Sequence, residues 1–180
     1  IKDCFIEASF PNNIFDILQI PSSLVPKVIE HNQIRGVAMT GSTNAGKAVA
    51  KIAGKNLKKT VLELGGNDPY LILDDADLDH AVIACAEGRL LNSGQSCVSA
   101  KRIIITKNNI KPFTKKLINK LTSKVMGDPL DNVDLGPLVS SSARTEVHKM
   151  VKSSIEMGAK LNIGGKIPNS EGAYYPITVL

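Results

Sequence analysis

An apolar run from Ile34 to Thr40 leads directly into Gly41-Ser42-Thr43-Asn44-Ala45-Gly46, which opens a helical pattern reaching about Lys55. A second strand pattern, Thr60 to Leu64, follows it. Strands joined through a helix pair in parallel, because a parallel pair needs a crossover where a hairpin needs only a short turn. The order therefore predicts an α/β fold, the class in which ligands sit at the carboxyl ends of strands. Glycine turns fall at such ends twice, at 41–46 and at Gly65-Gly66.

Upstream, residues 3–9 read as a helix end closed by Phe10-Pro11-Asn12-Asn13, and Ile14 to Ile20 alternates like a strand. Ser22-Ser23 is the candidate cap for a helix over about 24–31, with Pro26 tolerated in its first turn. Downstream, Pro69 to Leu73 is a strand pattern, and Asp77 is placed to cap a helix from about 78 to 91. Leu78, Val82, Cys85 and Arg89 share one face of that helix, which makes Cys85 a core residue. Arg102 to Thr106 reads as a strand and 109–125 as a helix with Ile110, Phe113, Leu117, Leu121 and Val125 as its stripe. The last helix pattern, Ser140 to Met157, carries Val147, Met150, Val151 and Ile155 and stops at Gly158, with Met150 and Met157 as core fillers. Ala159–Ile163 and Tyr174–Leu180 are strand-like.

With 180 residues, 43% of them hydrophobic, the chain has enough material to bury a core. The net charge of +5 comes from lysines scattered over helix patterns, and aromatic residues are only 4%, so a solvated surface is expected and no nucleic-acid face. Cys4, Cys85 and Cys97 form no Cys-x-x-Cys pair and no His cluster accompanies them, which indicates neither a disulfide framework nor a metal site. A reducing, cytoplasmic location is the expectation. No apolar run approaches the roughly 20 residues that span a bilayer, so no membrane partner is expected. Ile1 is not a methionine and Leu180 lies inside an apolar run, so both ends read as cuts within a longer polypeptide.

Two chemistries compete for the first glycine turn. Gly41 to Lys47 nearly matches a P-loop, and Tyr70 to Asp75 resembles the strand and carboxylate that help hold magnesium there. Ala48 speaks against a P-loop NTPase, since it lacks the hydroxyl that ligands the metal. A glycine turn at a helix N-terminus equally suits the diphosphate of a dinucleotide, and Ser42 or Thr43 as a plain helix cap is the simplest alternative. Asn92-Ser93-Gly94-Gln95-Ser96-Cys97 points to different chemistry. A reactive thiol needs a small, polar, backbone-rich setting, and Cys97 has one where Cys85 has none.

The motifs Gly41-Ser42-Thr43-x-x-Gly46, Leu62-Glu63-Leu64-Gly65-Gly66-Asn67-Asp68-Pro69, Asp74-Asp75-Ala76-Asp77-Leu78 and Asn92-x-Gly94-Gln95-x-Cys97 occur in this order along the whole chain. Together they resemble the NAD(P)-dependent aldehyde dehydrogenase superfamily, and most closely its succinate-semialdehyde dehydrogenase branch.

The resemblance implies that residues 1–64 are the end of a Rossmann-like parallel-sheet cofactor domain and 65–180 the first part of an α/β catalytic domain. It implies that Cys97 attacks the aldehyde carbon of succinate semialdehyde or a similar small substrate, giving a thiohemiacetal that loses hydride to NAD or NADP and becomes a thioester. Glu63 is then the base for the water that hydrolyses the thioester, a role suited to a carboxylate of raised pKa. The Cys97 backbone N–H contributes to the oxyanion hole. Gly41, Ser42 and Gly46 border the diphosphate and adenosine side of the cofactor, and Leu64 and Gly65 the nicotinamide side.

The family's second oxyanion donor and its ribose-holding lysine are expected before Ile1. The segment gripping the nicotinamide ribose, and the one completing a homo-oligomer interface in the full-length form, are expected after Leu180. A truncated, non-catalytic relative that binds nucleotide or a partner is the alternative from another class. Some branch members carry a second cysteine two positions after the nucleophile, where this chain has Ser99. Mild oxidation is therefore expected to leave no intramolecular disulfide at Cys97; peptide mapping that finds one reversed by added thiol contradicts this.

Overall fold

A computed structural model describes residues 1–180, which divide into two compact units, Ile1–Gly65 and Gly66–Leu180. In the first, α1 (Lys2–Glu7) and α2 (Val25–Glu30) precede β1 (Gly36–Thr40), α3 (Thr43–Lys55) and β2 (Lys59–Glu63). β1 and β2 pair in parallel from Gly36↔Lys59 to Thr40↔Glu63, with α3 as the crossover. The second unit repeats the device. β3 (Pro69–Ile72) runs parallel to β4 (Arg102–Ile105) from Pro69↔Arg102 to Ile72↔Ile105, and α4 (Leu78–Leu90) lies between them in sequence. Then come α5 (Ile110–Thr122) and α6 (Ser141–Glu156). No helix is long and apolar enough to cross a membrane.

Helix starts follow their caps. Ser42 Oγ accepts from the Ala45 N–H at 3.2 Å and Ser140 Oγ from the Ala143 N–H at 3.1 Å. Asp77 Oδ1 accepts from the N–H groups of Asp79 and His80 at 3.0 and 3.1 Å. These donors, that of His80 first, hold the Asp77 carboxyl below its ordinary pKa, because they bind only the charged form well. Gly158, at φ +102°, ends α6 as expected.

The core of the second unit is Ile72, Val82, Cys85, Ala86, Phe113, Leu117 and Leu121, where α4 and α5 cover the β3–β4 pair. Cys85 is 2% exposed, and burial pushes its thiol pKa up, so it is a packing residue.

Several expectations fail, each where a partner was assumed. Ile14 to Ile20 forms no ladder. Its side chains turn back on α1: Phe15 stacks on Phe5 with centroids 5.0 Å apart, and Asp16 accepts from Lys2 Nζ at 2.8 Å. Ser22-Ser23 lies inside a 3₁₀ turn, so α2 begins at Val25 with no side-chain cap, Pro26 sitting at its start as expected. Val125 falls outside α5 and is exposed, because the chain there is drawn to Asp134, whose carboxylate takes Lys124 Nζ at 2.6 Å and the Val125 N–H at 2.8 Å. Met150 and Met157 are 62% and 79% exposed, since only Val151 of the α6 stripe is buried. The segments 159–163 and 174–180 meet in one antiparallel bridge, Ile163↔Val179, with no strand around it.

Phe113→Ala is expected to destabilise the protein by about 3–5 kcal/mol through the cavity it leaves, and Met150→Ala by under about 0.5 kcal/mol. Urea unfolding of both variants checks this; equal losses contradict the assignment of the core.

Candidate active site

Thr40 and Glu63 end β1 and β2 side by side, and the Gly41 N–H donates to Glu63 O at 2.9 Å. The glycine turn and the expected base are thus fixed to the same carboxyl-terminal edge of one sheet. Glu63 is exposed. Ser42 occupies the cap of α3, and the first amides of that helix have no intrahelical partner. Gly46 is buried, and a Cβ there would meet the Leu64 methyls at 2.6 and 2.7 Å. Its bareness lets Leu64 close onto α3, so the residue after Glu63 is packed against the glycine turn. Around Gly41 a Cβ would meet only the terminal methyl of the long Met39 side chain, at 2.7 Å, and around Gly65 nothing within 4 Å. Gly41, Ser42, Gly46, Glu63, Leu64 and Gly65 thus lie in the first unit, and Cys97 lies in the second.

Cys97 stands at a different kind of edge. It precedes β4 and neighbours the segment leading into β3, so it lies at the amino-terminal margin of its sheet, where the carboxyl-end rule does not point. A Cβ on Gly66 would approach Cys97 O to 3.3 Å, so the glycine before β3 makes room for the cysteine backbone. No helix follows Cys97. The Ser99 N–H donates to Ser96 O at 3.3 Å, closing a turn with Cys97 and Val98 at its centre and the thiol exposed. Ser99 is 4% exposed and its hydroxyl has no hydrogen-bond partner.

The approach to this turn is left-handed. Asn92, Ser93 and Gly94 have φ of +52°, +54° and +77°, which ends α4 and throws the chain out of its axis. Glycine adopts such angles freely; each non-glycine costs on the order of 1–3 kcal/mol and needs support from its surroundings. Ser93 Oγ accepts from the Gly136 N–H at 3.1 Å and donates to Gly136 O at 3.2 Å. Gln95 Oε1 accepts from the Val139 N–H at 2.8 Å. Arg89 Nη1 donates to Gly94 O at 2.7 Å, and partial burial lowers the Arg89 pKa from its ordinary value. Arg89, Gln95 and Gly136 were not expected among the supports. Arg89 read only as the edge of an apolar stripe, and no short-range pattern links Ser93 to Gly136.

Beside this loop the second unit has an open cleft of about 650 Å³, lined among others by Arg89, Ser93, Gly94, Gln95, Leu117, Leu121 and Val151. Cys97 is not in its wall.

Known proteins give the geometry its context. The profile of the aldehyde dehydrogenase family matches residues 1–180. An aldehyde dehydrogenase of Paenarthrobacter nicotinovorans is 40% identical over 181 residues, covering 100% of this chain and 40% of that protein. Succinate-semialdehyde dehydrogenase [NADP(+)] of Mycobacterium avium is 39% identical, covering 100% of this chain and 38% of that protein. The crystal structure of succinic semialdehyde dehydrogenase from Streptococcus pyogenes, in complex with NADP+, superposes with a TM-score of 0.92 at 36% identity, over 98% of this chain and 39% of that one. The chain thus spans about two-fifths of the length of the curated relatives it matches. Its fold is the Rossmann-like α/β fold of these structures. Matched in sequence from its first residue to its last, the chain belongs to the aldehyde dehydrogenase family.

Proposed function

We propose that the protein containing this chain oxidises an aldehyde to its carboxylic acid with NAD or NADP, using Cys97 as nucleophile and Glu63 as base. Succinate semialdehyde is the proposed substrate, on the strength of the relatives that carry its name. The observation that supports this most is the setting of Cys97: an exposed thiol at the centre of a turn, preceded by a segment tied down through four hydrogen bonds that involve Ser93, Gln95 and Arg89. A nucleophile fixed in this way loses little orientational freedom when it attacks.

In the proposed reaction the Cys97 thiolate adds to the aldehyde carbon, and the carbonyl oxygen takes the displaced electron pair. The backbone N–H of Cys97 donates to that oxygen. Bound NAD or NADP supplies the hydride acceptor that turns the adduct into a thioester. Glu63 takes a proton from the water that attacks the thioester, the thiolate departs, and the acid is released. The first unit is proposed as part of the cofactor domain and the second as part of the catalytic domain.

The glycine turn fits a dinucleotide. The amides of Thr43 and Asn44 have no intrahelical partner at the positive end of a 13-residue helix, that of Ala45 being taken by Ser42 Oγ, and Gly41 adds no bulk that would block a diphosphate. Leu64 and Gly65 follow the base and are proposed to line the nicotinamide side. At the P-loop alternative, Ala48 offers no hydroxyl and the Asp74 carboxylate already accepts from Asn108 Nδ2 at 3.3 Å.

Cys97→Ala is expected to abolish succinate semialdehyde-dependent NAD(P)H formation in the intact protein; unchanged turnover removes the central claim. Glu63→Gln should retain a stoichiometric burst of NAD(P)H and lose steady-state turnover by about 10²-fold or more, because only deacylation needs the base. An equal loss of burst and turnover contradicts that role. Gly46→Val should displace Leu64 and weaken cofactor binding by about tenfold or more, consistent with overpacking of about 1–3 kcal/mol. Fluorescence titration with NAD and NADP gives the answer.

A further inference from the structure

Lys101 touches no atom of the proposed reaction, yet its ammonium reaches the carbonyls at the two ends of the Cys97 turn. Nζ lies 3.1 Å from Ser99 O and 3.4 Å from Ser96 O. The backbone beneath it is fixed independently. The N–H groups of Lys101 and Arg102 both donate to Asp68 O, at 2.9 and 3.4 Å, and Arg102 Nε donates to Asn67 O at 2.9 Å. Arg102 then enters the ladder opposite Pro69. The lysine is therefore delivered to the Cys97 turn from the first rung of a sheet, and the salt bridges of the chain engage other lysines, Lys2, Lys116, Lys124 and Lys149.

Peptide planarity gives this grip a consequence. In a trans peptide the C=O of one residue and the N–H of the next lie in one plane and point in opposite directions. Holding Ser96 O on one side therefore holds the Cys97 N–H on the other. The Ser99 N–H holds Ser96 O at 3.3 Å, at the long end of the hydrogen-bond range, and the Lys101 ammonium reaches the same oxygen as a second, charged donor at 3.4 Å. Gripping Ser99 O as well anchors the far end of the same turn.

We propose that Lys101 is a positioning residue for aldehyde oxidation, which fixes the Ser96–Cys97 peptide plane so that the Cys97 N–H faces the oxygen of a group bound on Cys97 Sγ. It rests on the reading of Cys97 as nucleophile. Lys101 acts through the backbone and touches no reacting atom.

Two reagents separate orientation of the N–H from activation of the thiol. p-Nitrophenyl acetate acylates a thiolate: the sulfur adds to the carbonyl carbon, an oxyanion forms, and p-nitrophenolate leaves as the thioester closes. Iodoacetamide alkylates the same thiolate by displacing iodide from a saturated carbon, with no oxyanion. In the intact protein, Lys101→Met is expected to slow the p-nitrophenolate burst about tenfold, less than the ~10²–10³ lost when an oxyanion donor is removed outright. Alkylation at Cys97 should stay within about twofold, since the thiolate itself is not perturbed. kcat for aldehyde oxidation should fall with KM little changed, and Lys101→Arg should restore most of the burst rate. If Lys101→Met does not fold, Lys101→Gln carries the same comparison. A burst at the unsubstituted rate overturns the proposal, and so does an equal slowing of acylation and alkylation, which would mean that the charge acts on the thiol. A burst that persists in Cys97→Ala instead overturns the reading of Cys97 as nucleophile.

Discussion

The left-handed reversal at Asn92-Ser93-Gly94 is the constraint on which the thiol loop depends. Two of its three residues are non-glycine, and a side chain at positive φ is held only where the surroundings over-determine it. Here they do so through Gly136, Val139 and Arg89, so the loop is tied both to the helix it leaves and to a segment some forty residues later. Remove those ties and α4 has no reason to stop where it does. The reversal also explains the plain composition of the motif: small polar side chains are the ones that serve as both backbone-like donors and acceptors in a crowded turn.

Both units use the same parallel pair with a helical crossover, yet they carry their candidate residues at opposite margins. In the first, the glycine turn and Glu63 leave the carboxyl ends of β1 and β2, where the first amides of α3 offer positive charge. In the second, Cys97 arrives before β4, beside the Gly66–Asp68 lead into β3, with Ser96 O and Ser99 O both turned to the Lys101 ammonium. A carbonyl-rich turn is a poor anion site by itself, which is why a lysine ammonium over Ser96 O and Ser99 O has physical value there. The two margins differ in what they present, helix N-terminal amides at one and an exposed thiol in a turn at the other.

Most local signals in the chain carry through to the fold, the Ser22-Ser23 cap excepted. The caps at Ser42 and Asp77, the proline at the start of α2, the Gly158 stop and the burial of Cys85 all depend on neighbours within a turn or two, or on one helix face. The failures share the opposite property. Ile14 to Ile20 alternates as a strand does, but alternation does not supply a partner, and Phe5 and Lys2 took its side chains instead. Met150 and Met157 sit at helical spacing, but spacing names a face without saying that anything covers it.

The sequence by itself determined the α/β class, the parallel crossovers and the family, because periodicity, capping and motif order are written within short stretches of chain. Tertiary structure alone decided how Cys97 is presented. The bond of Ser93 to Gly136, that of Gln95 to Val139 and the reach of Lys101 back to Ser96 and Ser99 join groups that sequence distance does not relate, or set a side-chain direction that only the β3–β4 register fixes. Such directions are properties of the packed chain, since each hydrogen bond needs both ends placed to within a few tenths of an ångström.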